Sequence, residues 1–434
     1  MKIIQSFWTG LNFSHNIGEK MSLKGSWISS EYHWISWALS CLRLRSYYPN
    51  VELITDEVGY EILIKKLNLP YSSVQVRLDE INELAKHLWV LSKIYTYSLQ
   101  KNSFLHVDSD VFIWKKFPKY FENTPLIVQN IEVNWEAYKE TFRNIEKKHP
   151  IIVEMMKLKY NNYAYNAGVI GGSNINLFQE YSQTLLSICS QYYKDLKHVP
   201  YINMFLEQKY LYQIADKKNT KAITVIKKVI KDPTYKGFAC FEGVPYQTKF
   251  IHALGDYKKN KDTCRHLARR LRQDYPTYYQ RIIEVCRQAG VELDCAYHRQ
   301  YEPSDYQSHY THDIRQYRAI QDLFGLPLRQ LLSQKLHFST YVQLIENISS
   351  EGVLQQTLLV PDIFTLTDRA ISLDALNMVL VDTFLEEPTT ISTALDVVSA
   401  YFSPQEIASD FQKFQDLALS RIKELMYWGA LIKM

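Results

Sequence analysis

The sequence is poor in the residues that mark disordered or disulfide-linked chains. Its 434 residues include only 14 glycines and 14 prolines, too few for a long disordered tract, so we expect the chain to fold almost throughout. The six cysteines form no Cys-x-x-Cys pair and show no regular spacing, which argues against a zinc ribbon and against a disulfide framework. A reducing cytosol fits this cysteine usage best, so a cytoplasmic location is predicted.

Long apolar runs and a large net charge are also absent. No apolar stretch approaches the roughly 18 residues that a membrane span needs, and the start of the chain lacks the long apolar centre of a signal peptide. The formal charge of +4 is small for this length, so charge balance indicates no nucleic-acid partner. Residues 258–272 form a basic run, which is typical of a solvated helix face.

The order of apolar patterns predicts the fold class. A chain of this length favours two or three domains, and its first 260 residues or so alternate short apolar runs with amphipathic stretches, as in an α/β layered domain. Strands are predicted at 3–8, 51–55, 73–77, 104–107, 126–129 and 169–171, and helices at 31–47, 58–67, 81–99 and 177–193. Ligands of such sheets bind outside the strand ends, where Trp8 to Gly10, Thr55-Asp56 and Asp108 to Asp110 fall.

The most informative motif is Asp108-Ser109-Asp110, which follows the apolar run Phe104-Leu-His-Val. Two carboxylates at the end of a strand can meet at one divalent cation, because Mg²⁺ and Mn²⁺ take oxygen ligands. An Asp-x-Asp motif is expected about once by chance in a chain this long. The alternative is therefore a pair of aspartates that only cap a loop after a strand.

A second motif, Lys249-Phe-Ile-His252-Ala-Leu-Gly255-Asp-Tyr-Lys258, lies about 140 residues further on. Mn²⁺ also accepts imidazole, so His252 can join the aspartates as a metal ligand. Gly255 permits a close turn, and Lys258 can place an ammonium group on a departing phosphate. Taken singly, His252 is typical of a structural histidine and Lys258 of a surface lysine. Together with the aspartates they predict a metal and diphosphate site.

With both motifs in place, residues 1–262 resemble the GT-A glycosyltransferases, in particular the glycogenin and bacterial galactosyltransferase group. The resemblance implies an α/β, Rossmann-like nucleotide-sugar domain. It also implies that Asp108, Asp110 and His252 bind Mn²⁺ or Mg²⁺. The residues it places against the donor around this metal are Asp108, Ser109, Gly255 and Lys258.

The same resemblance assigns roles to residues elsewhere in the domain. In the family, a basic residue on the helix before the Asp-x-Asp strand contacts the donor, and Lys93 occupies a suitable place for this role. The alternative is a surface lysine. Asn166 opens an Asn-Ala-Gly segment whose amide bonds a sugar hydroxyl in the family, although its glycines can also simply make turns. Glu207-Gln208 resembles an acidic-Gln pair beside the anomeric carbon, with Glu where Asp is usual, and a solvated helix surface is the alternative. Nucleotide contacts are assigned by position only to Trp8, Thr9 and Asp56.

Residues 353–434 show short strand-like runs followed by three helical segments, and this order resembles the small α+β winged-helix module of PqqD type. The strand-like runs are 357–360, 363–366 and 370–373. Pathways that make ribosomally synthesised peptides use such a recognition element to hold the leader of a precursor. The resemblance implies that the strand edge near Ala370 to Leu373 binds an extended leader peptide. Residues 263–352 are predicted to be a helical extension and linker.

Alternatives for this C-terminal domain are a winged helix that binds DNA and one that only packs against the catalytic domain. Acidic residues outnumber basic ones between 374 and 416, which argues against contact with phosphates. A nucleic-acid partner is therefore not expected. A membrane span is not expected either, because the sequence has no sufficiently long apolar run.

We accordingly predict a metal-dependent glycosyltransferase that moves a sugar from a nucleotide sugar, by analogy a UDP-sugar, onto a ribosomally synthesised peptide. The family resemblance implies a retaining outcome. One alternative is a glycosyltransferase for a saccharide or small molecule, whose C-terminal domain serves oligomerisation, for instance in a homodimer. Another is a non-catalytic protein that binds a nucleotide sugar or a peptide.

Overall fold

The computed structural model describes residues 1–10, 17–84, 87–241, 244, 248–293, 322–339, 342–348, 352–362, 367–402 and 411–434. The chain divides into two compact units, the first formed by residues 1–241 and 250–293 and the second by 242–249 and 294–434. Three predicted features lie outside the described residues: the turn-rich linker 296–311, the strand 363–366, and the start of the last helix at 403–404. The boundaries proposed from the sequence at 262 and 353 stay predictions.

The first unit is built on a mixed, mostly parallel sheet. Its strands are β1 (Lys2–Phe7), β2 (Val51–Thr55), β3 (Ser73–Val76), β4 (Phe104–Val107), β5 (Val111–Ile113), β6 (Ile127–Val133), β7 (Tyr163–Gly172), β8 (Ile223–Thr224) and β9 (Phe250–His252). Seven of them form the central sheet in the order β3-β2-β1-β4-β7-β6-β8. Strands β3, β2, β1 and β4 are parallel, whereas β7 runs antiparallel to both β4 and β6. The predicted α/β class is confirmed.

The central strands are continuous apolar runs because helices cover both faces of the sheet. Every residue of β2 and of β4 is buried. The helices of this unit are α1 (Ile17–Met21), α2 (Ser30–Tyr47), α3 (Glu57–Tyr60), α4 (Leu91–Ser98), α5 (Glu136–Lys148), α6 (Pro150–Met156), α7 (Ile175–Leu196), α8 (Ile202–Met204), α9 (Tyr210–Lys217), α10 (Lys261–Asp274) and α11 (Pro276–Gln288). Wide π turns at Glu61–Lys66 and Phe205–Lys209 extend α3 and join α8 to α9.

Two local expectations are wrong. Among the described residues of the predicted helix 81–99, only Leu91–Ser98 form an α-helix, because several of the apolar residues before it enter the core from turns. The basic run is not uniformly solvated, since Arg270 and Arg272 are only 1% and 3% exposed. Arg270 stacks on Trp114, with its guanidinium carbon 5.6 Å from the ring centre, and its Nε lies 3.2 Å from Asp274. The basic composition of this run predicted an exposed helix face, whereas Arg270 and Arg272 pack inward.

The second unit contains two small sheets and four described helices. These elements are α12 (Leu328–Leu332), β10 (Lys335–Phe338), β11 (Gln343–Ile348), β12 (Leu354–Asp362), β13 (Thr367–Ser372), α13 (Ala375–Glu386), β14 (Thr389–Thr390), α14 (Ile391–Tyr401), α15 (Phe411–Tyr427) and β15 (Leu431–Lys433). Strand β10 lies between β14 and β15, and β12 lies between β11 and β13. Asp374 and Thr390 cap α13 and α14 through their side chains, as their sequence positions suggest. No described helix combines the length and the apolar character needed to cross a membrane.

Candidate active site

The pairing of β5 with β9 brings the two sequence motifs together. Asp108 follows the last residue of β4, and its peptide N–H donates to the carbonyl of Gly168 on β7 over 2.9 Å. The chain then enters β5, which runs antiparallel to β9 so that Val111 lies opposite His252. The N–H of Ala253 donates to the carbonyl of Asp110 over 3.0 Å. Backbone hydrogen bonds therefore hold the histidine beside the acidic pair.

Asp108, Asp110 and His252 converge as the sequence predicts. One ligand atom from each lies within 4.8 Å of the other two, and the imidazole Nε2 is 3.3 Å from Oδ1 of Asp110. Among the described residues, Oδ1 of Asp110 is buried without a hydrogen bond, whereas Oδ1 of Asp108 lies 2.7 Å from Nζ of Lys93. Two carboxylates and an imidazole are a donor set that Mn²⁺ accepts, so these residues are compatible with a divalent metal. Loop capping alone does not explain a buried carboxylate oxygen of Asp110 that lacks a hydrogen bond.

A glutamine sets the orientation of His252. Nδ1 of the imidazole lies 2.7 Å from Oε1 of Gln129, while Nε2 of this glutamine donates to Asn130 over 3.1 Å. Because the Gln129 oxygen can only accept, Nδ1 carries the hydrogen and Nε2 is left as the metal-ligating atom. Gly168 makes room for the ring, since a Cβ there would lie 2.4 Å from Cε1 of His252. This is a concrete reason for a glycine in the Asn-Ala-Gly segment.

Two lysines neutralise the acidic side chains. Nζ of Lys93 lies 2.7 Å from Asp108 and 2.6 Å from Glu207, and Nζ of Lys258 lies 2.6 Å from Asp110. Lys93 is only 7% exposed, so the alternative that it is a surface lysine is wrong. Glu207 is 1% exposed, which also excludes the solvated helix surface. Lys93 bridges Asp108 and Glu207, which would otherwise repel one another, and Lys258 pairs with Asp110.

Burial and ion pairing separate the pKa values of these acids. Burial raises the pKa of Glu207 to about 7, against the opposing effect of Lys93. Burial also raises the pKa of Asp108, which Lys93 only partly offsets. For Asp110 burial acts in the same direction, but Lys258 and His252 outweigh it and hold the pKa well below its usual range. Asp110, which lies beside the imidazole, is therefore the acid of this cluster that most readily stays ionised.

A second group of polar residues surrounds Glu132, which the sequence did not predict as a site residue, and includes the predicted Asn166. Glu132 on β6 is 1% exposed and accepts hydrogen bonds from Tyr138, Tyr235 and Asn166. Nδ2 of Asn166 donates to Glu132 over 2.9 Å and contacts the Tyr235 hydroxyl at 3.0 Å, and its Oδ1 accepts from the N–H of Gly168. Burial raises the pKa of Glu132, although its three donors oppose this. The sequence signal that could have revealed Glu132 is the set of three polar residues, Gln129, Asn130 and Glu132, inside a buried strand.

The two polar groups share one cavity of about 420 Å³. Its walls include Lys93, Lys258 and Gln208, and the indoles of Trp89 and Trp135. Ser109 and Gly255 also line it, and Gly255 adopts a positive φ of 58° that favours glycine. A space of this size is within the range of small-ligand sites in proteins.

The remaining predicted contacts lie apart from this cavity. Oδ2 of Asp56 accepts from the N–H and hydroxyl of Thr9 over 2.7 and 2.6 Å, and its Oδ1 accepts from the N–H of Gly59. Nε1 of Trp8 donates to Asn82 over 2.8 Å. Trp8, Thr9 and Asp56 are not among the residues that line the cavity. Their role as nucleotide contacts stays a prediction.

Comparisons with known proteins add a family and several structural similarities. Residues 1–285 match DUF6734, a family of unknown function. No curated protein matches the sequence. Among solved structures, the galactosyltransferase LgtC in complex with donor and acceptor sugar analogs is 10% identical, with 71% of this chain and 99% of that chain covered and a TM-score of 0.32.

Two other similar structures are also glycosyltransferases. The bifunctional glycosyltransferase WbbM is 11% identical, with 65% of this chain and 51% of that chain covered and a TM-score of 0.34. Mouse xyloside xylosyltransferase 1 is 12% identical, with 51% of this chain and 76% of that chain covered and a TM-score of 0.24.

Proposed function

We propose a function for this chain, which belongs to the DUF6734 family, from the geometry of its site. The protein is a metal-dependent glycosyltransferase that takes a sugar from a nucleotide sugar, with UDP as the nucleotide. Its acceptor is a ribosomally synthesised peptide, bound through its leader at the C-terminal domain. The proposed outcome is retention of the anomeric configuration.

The convergence of Asp108, Asp110 and His252 carries this proposal. Their ligand atoms lie within 4.8 Å of one another, next to a cavity that also holds two lysines. A nucleotide sugar brings a diphosphate whose negative charge grows when its bond to the sugar breaks. A divalent cation and an ammonium group at the leaving oxygens both stabilise this charge, and these residues can hold the one and supply the other.

Different residues of the cavity act on different parts of the donor. A bound Mn²⁺ or Mg²⁺ supplies positive charge that stabilises the departing diphosphate. Lys258 reaches the cavity from the turn after β9 and places its ammonium group on the same phosphate oxygens. Glu207 and Gln208 lie at the anomeric carbon, where they stabilise the positive charge that develops as the bond to the diphosphate breaks. Lys93 holds Glu207 and Asp108 in place.

Donor hydrolysis tests the enzymatic part. The full-length protein with Mn²⁺ should release the nucleoside diphosphate from at least one member of a panel of nucleotide sugars, and EDTA should abolish this release. Asp110→Asn should reduce the rate about 10³-fold, because it removes the firmly charged ligand. Asp216→Asn, at an exposed acid on α9, is the matched control and should act like the wild type. No hydrolysis of any donor, or full activity in Asp110→Asn, would overturn the proposal.

The edge strand β13 supports the peptide part. Within the described residues of its sheet, β13 pairs only with β12. The N–H of Leu373 donates to Gln356 of β12 over 2.9 Å, so by the alternation of an antiparallel ladder the N–H of Ala370 points away from β12. An extended leader can add to this free edge as a further strand, which raises the effective concentration of the peptide near the donor.

Ala370→Pro tests this edge with little disturbance to the sheet, because it removes an N–H that points outward. Fluorescein-labelled peptides encoded beside the gene should bind the full-length protein by anisotropy, and Ala370→Pro should weaken binding about 10-fold or more. Ile348→Pro, on the opposite edge strand β11, is the control. Mass spectrometry of the same peptides with the panel of donors identifies the sugar and the acceptor. Sugar transfer to a saccharide with no peptide binding would refute the peptide part alone.

A further inference from the structure

Strand β5, which directly follows Asp110, has a neighbouring strand on one side only. Among the described residues it pairs with β9 alone, and on that side the carbonyl of Asp110 accepts from the N–H of Ala253 over 3.0 Å. By the alternation of an antiparallel ladder, the carbonyls of Val111 and Ile113 therefore face away from β9. Every residue of β5 is buried, so the carbonyls on its second side need donors that do not belong to a strand.

Helix α2 supplies these donors from side chains at positions i, i+4 and i+7, which share one face of a helix. The hydrogen bonds run from the hydroxyl of Ser36 to the carbonyl of Ser109 over 2.7 Å, from the hydroxyl of Ser40 to that of Val111 over 2.8 Å, and from Nε of Arg43 to that of Ile113 over 3.0 Å. Four residues of a helix rise about 6 Å and two residues of a strand about 6.6 Å, so the two spacings match. The helix thus occupies the place of a missing neighbouring strand.

Gln5 fixes the direction of the hydrogen bond from Ser40, and both side chains are fully buried. Nε2 of Gln5 lies 3.1 Å from the carbonyl of Val107 and 3.0 Å from the hydroxyl of Ser40. A carbonyl can only accept, so the amide nitrogen is the end of Gln5 that donates to Ser40. Ser40 therefore gives its own hydrogen to the chain around the aspartates, where the carbonyl of Val111 lies at 2.8 Å and that of Asp108 at 3.2 Å.

We propose that Ser36 and Ser40 are positioning residues, which hold the turn that carries Asp108 and Asp110 in the geometry that a divalent cation requires. The inference rests on the proposed metal role of the two aspartates. Residues behind the ligands of a metal fix the orientation of those ligands and so raise the affinity of the site. Ser36 acts on the residue between the two aspartates, whereas Arg43 acts on the far end of β5.

The first test compares the affinity for Mn²⁺ with the stability of the protein. Ser36→Ala should lower this affinity, measured by isothermal titration, about 10-fold or more, and Ser40→Ala should lower it less. Arg43→Met should lower the affinity least of the three but should lower the Tm of the metal-free protein most, because Arg43 also lies over Trp114 and donates to Tyr47. If the losses of affinity followed the losses of Tm, the serines would have only a structural role and the inference would be wrong.

A second test needs no metal. In hydrogen–deuterium exchange followed by mass spectrometry, Ser36→Ala should speed the exchange of residues 108–113, because their turn loses a donor. Thr141→Val is the matched control for both tests, since it removes a buried hydroxyl that donates to the carbonyl of Pro200 over 2.7 Å, and it should change neither the affinity nor this exchange. Unchanged exchange in Ser36→Ala would refute the inference. Faster exchange in a protein that binds no Mn²⁺ would support the hold of α2 on the turn and refute the metal site instead.

Discussion

The cavity contains two buried carboxylate clusters that are built differently. In the metal cluster, Asp108 and Asp110 are balanced by lysines, and Oδ1 of Asp110 is buried without a hydrogen bond among the described residues. In the Glu132 cluster, both oxygens accept from uncharged donors, among them Tyr138 and Tyr235. The two clusters lie on the same walls and differ in whether their hydrogen-bonding capacity is filled.

This difference indicates that the metal cluster, and not the Glu132 cluster, is arranged to bind a ligand. Buried polar atoms are normally hydrogen-bonded, so an oxygen left without such a bond needs an explanation, and a role as a metal ligand is a good one. A carboxylate whose oxygens are occupied by hydroxyl and amide donors has little left to offer a ligand. It holds neighbouring side chains in fixed positions. Experiments that perturb one cluster at a time can break or sharpen this contrast.

The largest effect on stability is expected when the metal cluster loses a lysine. Lys93→Met leaves the buried Glu207 and the partly exposed Asp108 without their shared countercharge, so the free energy of unfolding should fall by about 3–5 kcal/mol. Urea unfolding followed by tryptophan fluorescence measures this, because every tryptophan except Trp428 lies in the first unit. Lys139→Met, which removes an exposed i,i+3 pair, should change the value by less than about 0.5 kcal/mol. Similar results for the two variants would contradict the ion-pair account.

Adding the metal should stabilise the protein through the same cluster. At a Mn²⁺ concentration about 100 times its Kd, the free energy of unfolding should rise by about 2.7 kcal/mol. Asp110→Asn should lose this increase, and Asp216→Asn should keep it. Thermal melting with and without Mn²⁺ gives the comparison. If Asp110→Asn were stabilised as much as the wild type, the cation would bind elsewhere.

The space beside the histidine is the next point to test. Gly168→Ala would put a Cβ 2.4 Å from both Cε1 of His252 and Oε1 of Gln129, so the imidazole and the glutamine that orients it must shift. The affinity for Mn²⁺, measured by isothermal titration, should fall about 10- to 100-fold. Gly325→Ala, where a Cβ meets nothing within 4 Å, is the matched control. Unchanged affinity in Gly168→Ala would remove His252 from the ligand set.

The smallest effect should come from the Glu132 cluster. Tyr235→Phe removes one of its donors and leaves the others, so the free energy of unfolding should fall by about 1.5 kcal/mol, with no change in Mn²⁺ affinity. Tyr120→Phe, at a side chain 56% exposed, should leave both values as they are. A loss as large as that of Lys93→Met would mean that the two clusters do not differ as described.

Much of the site could be anticipated because its residues carry recognisable spacing. Asp108, Asp110, His252 and Lys258 were predicted from two short motifs, and they meet in the structure as expected. Lys93 and Glu207 were assigned only through a family resemblance, with exposed alternatives that their burial excludes. Glu132 was not anticipated at all. A single acid in a strand has no spacing that distinguishes it, and its donors come from distant parts of the chain.

The sequence by itself determined the alternation of strands and helices and the position of the acidic pair after β4, because apolar periodicity and turn residues act over a few neighbours. Only the tertiary structure decided that Arg270 and Arg272 are buried, and that apolar residues before Leu91 enter the core from turns. It alone closed the network of Glu132, Tyr138 and Gln208. Such outcomes depend on which distant side chains arrive at the same point, and burial then sets the strength of each charge and hydrogen bond there.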